Sequence, residues 1–378
     1  VIYLDHHAAT PLQPDVLRAM DEARAVGWAN PSSVHAAGRR SRALLEDARR
    51  AIAETVCAEP ADVVLTSGGT EAVNLAVFGL WPRSGGHVVS TEIEHPAVAQ
   101  AVARLEQNGA RVTRLSALGG VAPGVEALSA ALAPDTALVA VQWVNHETGL
   151  ALPVASYAAL CRARGVRLVV DAAQALGKVP IDVRALGADA VAFAASKLGG
   201  PHGAGALYVA RARVVAPLLA GGGQERGRRP GTPDVSAAAG FGAAARAVPA
   251  RLAAMRRIAR LRDRLEAGLR ARGAVVQGAA GERVATVTHV ALEGLRGDVL
   301  VAALDVEGVC VSSGAACSSG LAEPSPSVLA MYPDAPWRAR GALRFSLGPE
   351  SSDADVDGAL LALDRVLARL GRGAIPAP

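Results

Sequence analysis

Three short stretches of this 378-residue chain carry residue types with complementary chemistry. Thr66-Ser67-Gly68-Gly69-Thr70-Glu71 joins a β-rich run to a helical one. A glycine turn there sets backbone N–H groups and the Thr70 hydroxyl at the positive end of a helix, a geometry that suits phosphate. Val169-Val170-Asp171-Ala172-Ala173-Gln174 puts an acid at the end of an apolar strand, where α/β folds place ligand-binding groups. The plainer reading is an Asp that caps the next helix. Ala194-Ala195-Ser196-Lys197-Leu198-Gly199-Gly200 sets a lysine between an apolar run and a glycine turn. Partial desolvation there readies an amine for imine chemistry, against the plainer reading of a solvated surface lysine.

Lys178 and Lys197 are the only lysines among 39 basic residues. A guanidinium cannot form an imine, so a retained lysine points to a need for the amine; drift in an arginine-favouring genome explains the same fact equally well. The order of phosphate loop, strand-end acid and lysine 26 positions later is more specific than any one part. It matches the needs of pyridoxal phosphate (PLP), whose ring nitrogen requires a carboxylate to stay protonated and act as an electron sink. Gln174 lies within reach of its phenolic oxygen.

The elements that position these groups alternate. Strands are expected at 63–66, 87–90, 111–115, 136–144, 167–171, 190–193 and 205–209. Helices are expected at about 70–79, 97–108 and 154–164. Such alternation with apolar strands predicts an α/β fold: a mostly parallel, seven-stranded-type sheet with helices on both faces, plus a smaller α/β C-terminal domain. A Gly/Arg/Pro-rich loop, Gly221 to Pro233, separates this series from a helical stretch at about 235–272. Strands near 285–292, 309–312 and 342–346 and a last helix at about 353–370 follow. The expected division is 15–250 for the large domain, with 1–14 and 251–378 forming the small one.

The chain resembles the cysteine desulfurases, a branch of the fold-type I, class V aminotransferase-like PLP enzymes, over nearly its whole length. The resemblance is carried by Tyr3-Leu4-Asp5, Ala9-Thr10-Pro11, Asn30-Pro31-Ser32-Ser33-Val34-His35 and Ser67-Gly68-Gly69-Thr70-Glu71. It continues through Glu94-His95, Val144-Asn145-His146-Glu147-Thr148-Gly149, Asp171-Ala172-Ala173-Gln174 and Gly221-Gly222-Gly223-Gln224-Glu225-Arg226-Gly227. Ser312-Ser313-Gly314-Ala315-Ala316-Cys317 and Arg344-Phe345-Ser346-Leu347-Gly348 complete it.

This resemblance implies roles at the matching positions. Lys197 would hold PLP through an imine, Asp171 would pair with the ring nitrogen, Gln174 would bond the phenolic oxygen, and His95 would stack on the ring. Gly69 and Thr70 would hold the phosphate together with Thr232 from the second subunit of a homodimer. Arg344 would clamp the substrate carboxylate in bidentate fashion, with Asn30 near the substrate. Cys317 would take sulfur from L-cysteine as a persulfide, releasing alanine, before transfer to an acceptor protein of the scaffold or tRNA-thiolation type. Lys197 would move the α-proton. Iron–sulfur cluster assembly and a cytoplasmic location go with that reading. Cys57, Cys161 and Cys310 keep the plain reading of inert thiols, the first two on helical stretches and the third at a strand edge.

Three departures from the family pattern matter. Ala194-Ala195-Ser196 stands where Ser-Gly-His usually precedes the lysine, so two phosphate donors are changed and Ser196 is left to replace one. His146 stands where an Asn approaches the cofactor oxygen and substrate. Gln224 replaces a common His. The expected consequence is PLP held through Lys197, but less tightly than in typical relatives.

Composition narrows the alternatives. A net charge of +4 is small for the length, and Arg226-Gly227-Arg228-Arg229 has no aromatic neighbours for base stacking, which argues against direct nucleic-acid binding. No apolar run approaches the roughly 20 residues that cross a bilayer, and the opening residues do not read as a secretory signal. The four cysteines form no C-x-x-C pair, so reduced thiols fit better than disulfides or zinc. His6-His7 would point to opposite sides of an extended chain, and His146-Glu147 lacks the second histidine of a zinc-protease motif. Other readings stay open: an aminotransferase, selenocysteine lyase or C–S lyase that does not use Cys317, or a weakly active sulfur-relay scaffold.

Overall fold

The computed structural model describes residues 1–82, 84–314 and 324–370. Its strands are β1 (Ile2–Tyr3), β2 (Val63–Thr66), β3 (His87–Thr91), β4 (Arg111–Leu115), β5 (Thr136–Gln142) and β6 (Arg167–Asp171). They continue with β7 (Ala190–Ala194), β8 (Gly205–Val209), β9 (Val275–Val276), β10 (Val287–Ala291), β11 (Val309–Cys310) and β12 (Ala342–Ser346). The large sheet has seven strands in the order β2-β8-β7-β6-β5-β3-β4. Pairings among β3 to β7 are parallel, whereas β8 runs antiparallel to β2 and to β7. The reversal has a simple cause. Only residues 195–204 join β7 to β8, fewer than the dozen or so that a parallel crossover requires.

Alternate residues of the sheet feed two cores, as the two-residue strand period demands. Leu65, Val139, Val141, Val170, Val191 and Phe193 pack on one face with the helices Ala36–Thr55, Val154–Arg164 and Val235–Arg246. Val64, Val88, Leu138, Ala140, Val169 and Ala192 pack on the other with the helices Gly69–Leu80 and Pro96–Gln107. Both faces are thus covered, as the apolar strands require.

The helical stretch expected at about 235–272 is two helices, Val235–Arg246 and Val248–Ala271. Pro249 sits in the first turn of the second, where its missing N–H leaves no bond unmade. The helices Pro14–Val26 and Ala36–Thr55, not among the expected elements, lie against Val235–Arg246, where Gly240 meets Met20 and Gly242 meets Ala48. A Cβ on Gly242 would come within 2.7 Å of Ala48 Cα, so glycine sets that close approach.

Beyond residue 250, β12-β10-β9 form an antiparallel sheet. Leu4 joins Ile258, Leu265, Val290, Phe345 and Leu363 in a third core. The N-terminal segment reaches it because β1 pairs in parallel with β11. Cys57 is not helical: it follows the helix Ala36–Thr55 in a left-handed conformation with φ 58°.

Candidate active site

The parallel set and β2 point the same way, so their carboxyl ends converge on one edge of the sheet, where open α/β sheets bind ligands. A cavity of about 560 Å³ opens there. Its walls include Gly69, Thr70, His95, His146, Asp171, Gln174, Ser196, Lys197 and Arg344. Nine sequence-predicted residues from distant segments thus face one space. Asn30 and Thr232 are exposed and do not line it. The Asn30 carbonyl oxygen Oδ1 instead accepts from Ser32 N at 2.9 Å. Cys317 lies outside the described residues.

At one end, Gly68 and Gly69 enter the 12-residue helix Gly69–Leu80. A Cβ on Gly205 would lie 2.5 Å from the Gly68 carbonyl carbon, so the turn sits tight against β8. A Cβ on Gly69 would come 3.2 Å from Ala194 Cβ. The turn is fixed further by Glu71, which accepts from Ser67 N at 2.8 Å and from Arg229 Nε at 2.8 Å. Free helix N–H groups and the Thr70 hydroxyl make this end fit for a phosphate.

On the floor, Asp171 ends β6 and its Oδ1 accepts from Ala173 N at 2.9 Å. Burial pushes its carboxyl up, opposed by His95 and Lys197. No ion pair reaches it among the described residues, so a buried carboxylate held by one backbone N–H faces the cavity without a paired cation. A protonated ring nitrogen would supply such a cation, so the residues present fit PLP. Beside it, Gln174 Nε2 donates to His7 O at 2.8 Å, and Lys178 Nζ donates to Gln174 Oε1.

Lys197 ends a single helical turn, Ala195–Lys197, that follows β7 directly, and its Nζ donates to Ala8 O. His95 caps the helix Pro96–Gln107, its Nδ1 accepting from Ala97 N at 3.1 Å. That bond fixes the ring, which meets the His146 ring edge-on with centroids 5.0 Å apart. Burial above all, then His95 and Arg344, holds His146 well below the usual imidazole range, so it is a neutral ring at neutral pH. Its Nδ1 is buried without a partner among the described residues.

At the far end, Arg344 on β12 donates through Nη1 to His146 O at 2.8 Å and through Nη2 to Asp5 Oδ1 at 2.9 Å. Its Nε is buried and unpartnered among the described residues. His6 and His7 diverge as expected: His7 lines the cavity and bonds Thr286 Oγ1 at 2.9 Å, while His6 packs edge-on against Tyr3. No group of three or more His, Cys, Asp or Glu among the described residues is placed to hold a metal.

Three acids here were given no role by the sequence reading. Glu94, behind His95, is pushed by burial up to about 8 while accepting from Thr91 Oγ1 and Gln142 N. Glu147 lies deep beside Gly314 and His289. Asp5 holds Arg344. Glu94 and Asp5 stand inside motifs noted in the sequence, but their roles depend on contacts 48 and 339 residues away. Cys161 is buried, its thiol pushed up to about 12, which fits an inert side chain.

Residues 2–358 match the family model for class-V aminotransferases. The chain is 42% identical to an IscS-like cysteine desulfurase of Mycobacterium tuberculosis, over 99% of this chain and 98% of that one. Among solved structures, a NifS-like protein superposes with TM-score 0.90 at 28% identity, covering 97% of this chain and 99% of that chain. SspA in complex with cysteine superposes with TM-score 0.81 at 29% identity, covering 93% and 100%. No helix among the described residues is long and apolar enough to cross a membrane.

Proposed function

The chain belongs to the class-V aminotransferase family as a PLP-dependent cysteine desulfurase, and we propose from that premise how its own residues divide the work on L-cysteine. The observation that carries the assignment is the buried Asp171 carboxylate, without an ion pair among the described residues, in the same cavity as Lys197 and Arg344.

Lys197 holds the cofactor through its amine and afterwards carries the substrate's α-proton. Asp171 would hold the ring nitrogen, Gln174 the phenolic oxygen, and His95 would stack on the ring. Gly69, Thr70 and Ser196 take the phosphate, with Thr232 of the partner subunit as a further donor. PLP, when bound, supplies an electron sink for the charge that develops as the α-proton leaves. His146, neutral and with Nδ1 unpartnered among the described residues, offers one hydrogen bond toward the same space. Arg344 orients the substrate carboxylate, and Asn30 approaches the substrate.

Cys317 takes the sulfur. Its thiolate forms a new S–S bond as the C–S bond of cysteine breaks, so the protein keeps a persulfide and alanine leaves. Delivery to an acceptor protein, a homodimer, a cytoplasmic setting and service to iron–sulfur cluster assembly are parts of the same proposal. So is the division into a large domain, 15–250, and a small one of 1–14 and 251–378; the separate core around Leu4, Ile258 and Phe345 supports it.

Spectroscopy tests the cofactor assignment. Purified protein given PLP and then gel-filtered is expected to keep a visible absorption band that Lys197→Ala loses. A band of equal strength in Lys197→Ala would remove Lys197 from that role.

A further inference from the structure

Lys178 is the second of the two lysines, and the assignment above leaves it without work. It follows Gln174 by four residues through a tight turn. Lys178 N and Val179 N both donate to Ala175 O at 3.0 Å. Gly177 takes φ 75°, and a Cβ there would lie 2.4 Å from Leu198 Cδ1, so glycine makes this turn without strain. The turn returns the Lys178 amine onto Gln174 Oε1.

Chemistry alone fixes how the Gln174 amide is oriented. The His7 carbonyl can only accept, so the amide atom 2.8 Å from it is the nitrogen. The oxygen then faces Lys178, whose amine can donate in either protonation state. One amide hydrogen is used at His7. Gln174 lines the cavity, so the second is available to a group held there.

The charged and titratable groups around this amine come from several elements: His6 and His7 from the N-terminal segment, Lys197 after β7, Arg251 from the helix Val248–Ala271, and Arg344 from β12. Glu350 acts on His6 and on Arg251. Burial first, then Lys197, Arg344 and Arg251, holds the Lys178 amine well below the usual lysine range. A lysine so placed is poorly explained as an ion-pair partner. Its bond to Gln174 is the contact that explains it.

We propose that Lys178 is a positioning residue that locks the Gln174 amide so that its N–H is presented to the phenolic oxygen of PLP. The inference rests on the cofactor assignment above. A donor on that oxygen stabilises its anion, so the proton shared with the Lys197 nitrogen leaves at lower pH. Without Lys178 the amide oxygen loses its donor, and the bond to His7 O alone is left to hold the amide.

The test is the pH midpoint of the bound cofactor's visible band in native protein, Lys178→Met, Gln174→Ala and the double variant. Unfolding of each cofactor-free protein is measured alongside. Lys178→Met is expected to raise the midpoint by about one pH unit, the size of a lost charge-assisted hydrogen bond. It should add almost nothing in the Gln174→Ala background. Lys178→Arg, which keeps a donor, should return the midpoint toward the native value and serves where Lys178→Met does not fold. An unmoved midpoint in Lys178→Met, or an equal shift in both backgrounds, would overturn the inference, the latter by showing a direct charge effect. Native protein without a visible band would instead bring down the cofactor assignment itself, and this inference with it.

Discussion

Arg344 Nη2 lies 2.9 Å from Asp5 Oδ1, a pairing across 339 residues that joins the first strand region to the last. The arginine side chain is 3% exposed and the aspartate side chain 18%. The cation assigned to the substrate carboxylate is therefore already balanced by a carboxylate of the protein. Its Nε is buried without an acceptor among the described residues. Asp5→Asn keeps the shape and removes that balance. It should lower folding stability by about 1–3 kcal/mol, as loss of a partly buried charged partner does. It should also lower KM for cysteine, because nothing competes for the guanidinium. Urea unfolding and steady-state kinetics check both, and a raised KM would contradict the competition.

Asp171 invites a cleaner substitution. Asp171→Asn keeps size and most hydrogen bonding but cannot hold a ring nitrogen protonated. The turnover rate is expected to fall by about 10² or more, the scale of losing one well-placed electrostatic group. The visible band of bound PLP should persist, because Lys197 is untouched. Unchanged turnover in Asp171→Asn would remove the carboxylate from the chemistry.

Glu94 gives a stability prediction with a definite sign. Its carboxyl is pushed up to about 8 by burial, against an ordinary value of 4.5. Between those values the folded chain holds a proton that the unfolded chain has released. Its contribution to stability is therefore greatest below pH 4.5 and declines as pH rises toward 8. Glu94→Gln cannot titrate. Native stability relative to Glu94→Gln should fall on the order of a few kcal/mol from pH 5 to pH 8, by urea unfolding at a series of pH values. A difference that is flat or rises with pH would contradict a protonated Glu94.

The loop that carries Thr232 is anchored by a buried pair. Arg49 Nη1 and Nη2 reach Glu225 Oε2 and Oε1 at 2.6 and 2.7 Å, and Leu65 N donates to the same carboxylate at 2.8 Å. Glu225 and Arg226 adopt left-handed φ values of 50° and 58°, strained for residues with side chains. The fork from Arg49 holds that strain in place. Arg49→Met leaves a buried carboxylate without its cation and should lower stability by about 3–5 kcal/mol. Denaturant unfolding reads it, and a loss below about 1 kcal/mol would show that the pair is not the anchor.

Much of the site was legible because its chemistry is local. The Gly69-Thr70 turn, the strand-end Asp171 and the post-strand Lys197 announce themselves by residue type next to an apolar run. Their convergence follows from a mostly parallel sheet. The contacts that complete the site are not local. Asp5 with Arg344, Gln142 with Glu94 and Arg49 with Glu225 join segments that no spacing connects. The Lys178–Gln174 bond spans only four residues, yet it depends on a turn that Gly177 makes against Leu198. The helix Ala36–Thr55 escaped for another reason. Its buried face sets only Leu45 and Ile52 among the small or polar Gly38, Ser41, Ala48, Arg49 and Ala51, so few large apolar residues mark it.

Release of alanine from L-cysteine, measured with added PLP and a reductant, tests the central claim most directly when native protein is set beside Cys317→Ser. Alanine from the native protein and its loss in Cys317→Ser is the result expected of desulfuration through a persulfide on Cys317. Equal alanine from both would contradict that route and return sulfur transfer to a site other than Cys317.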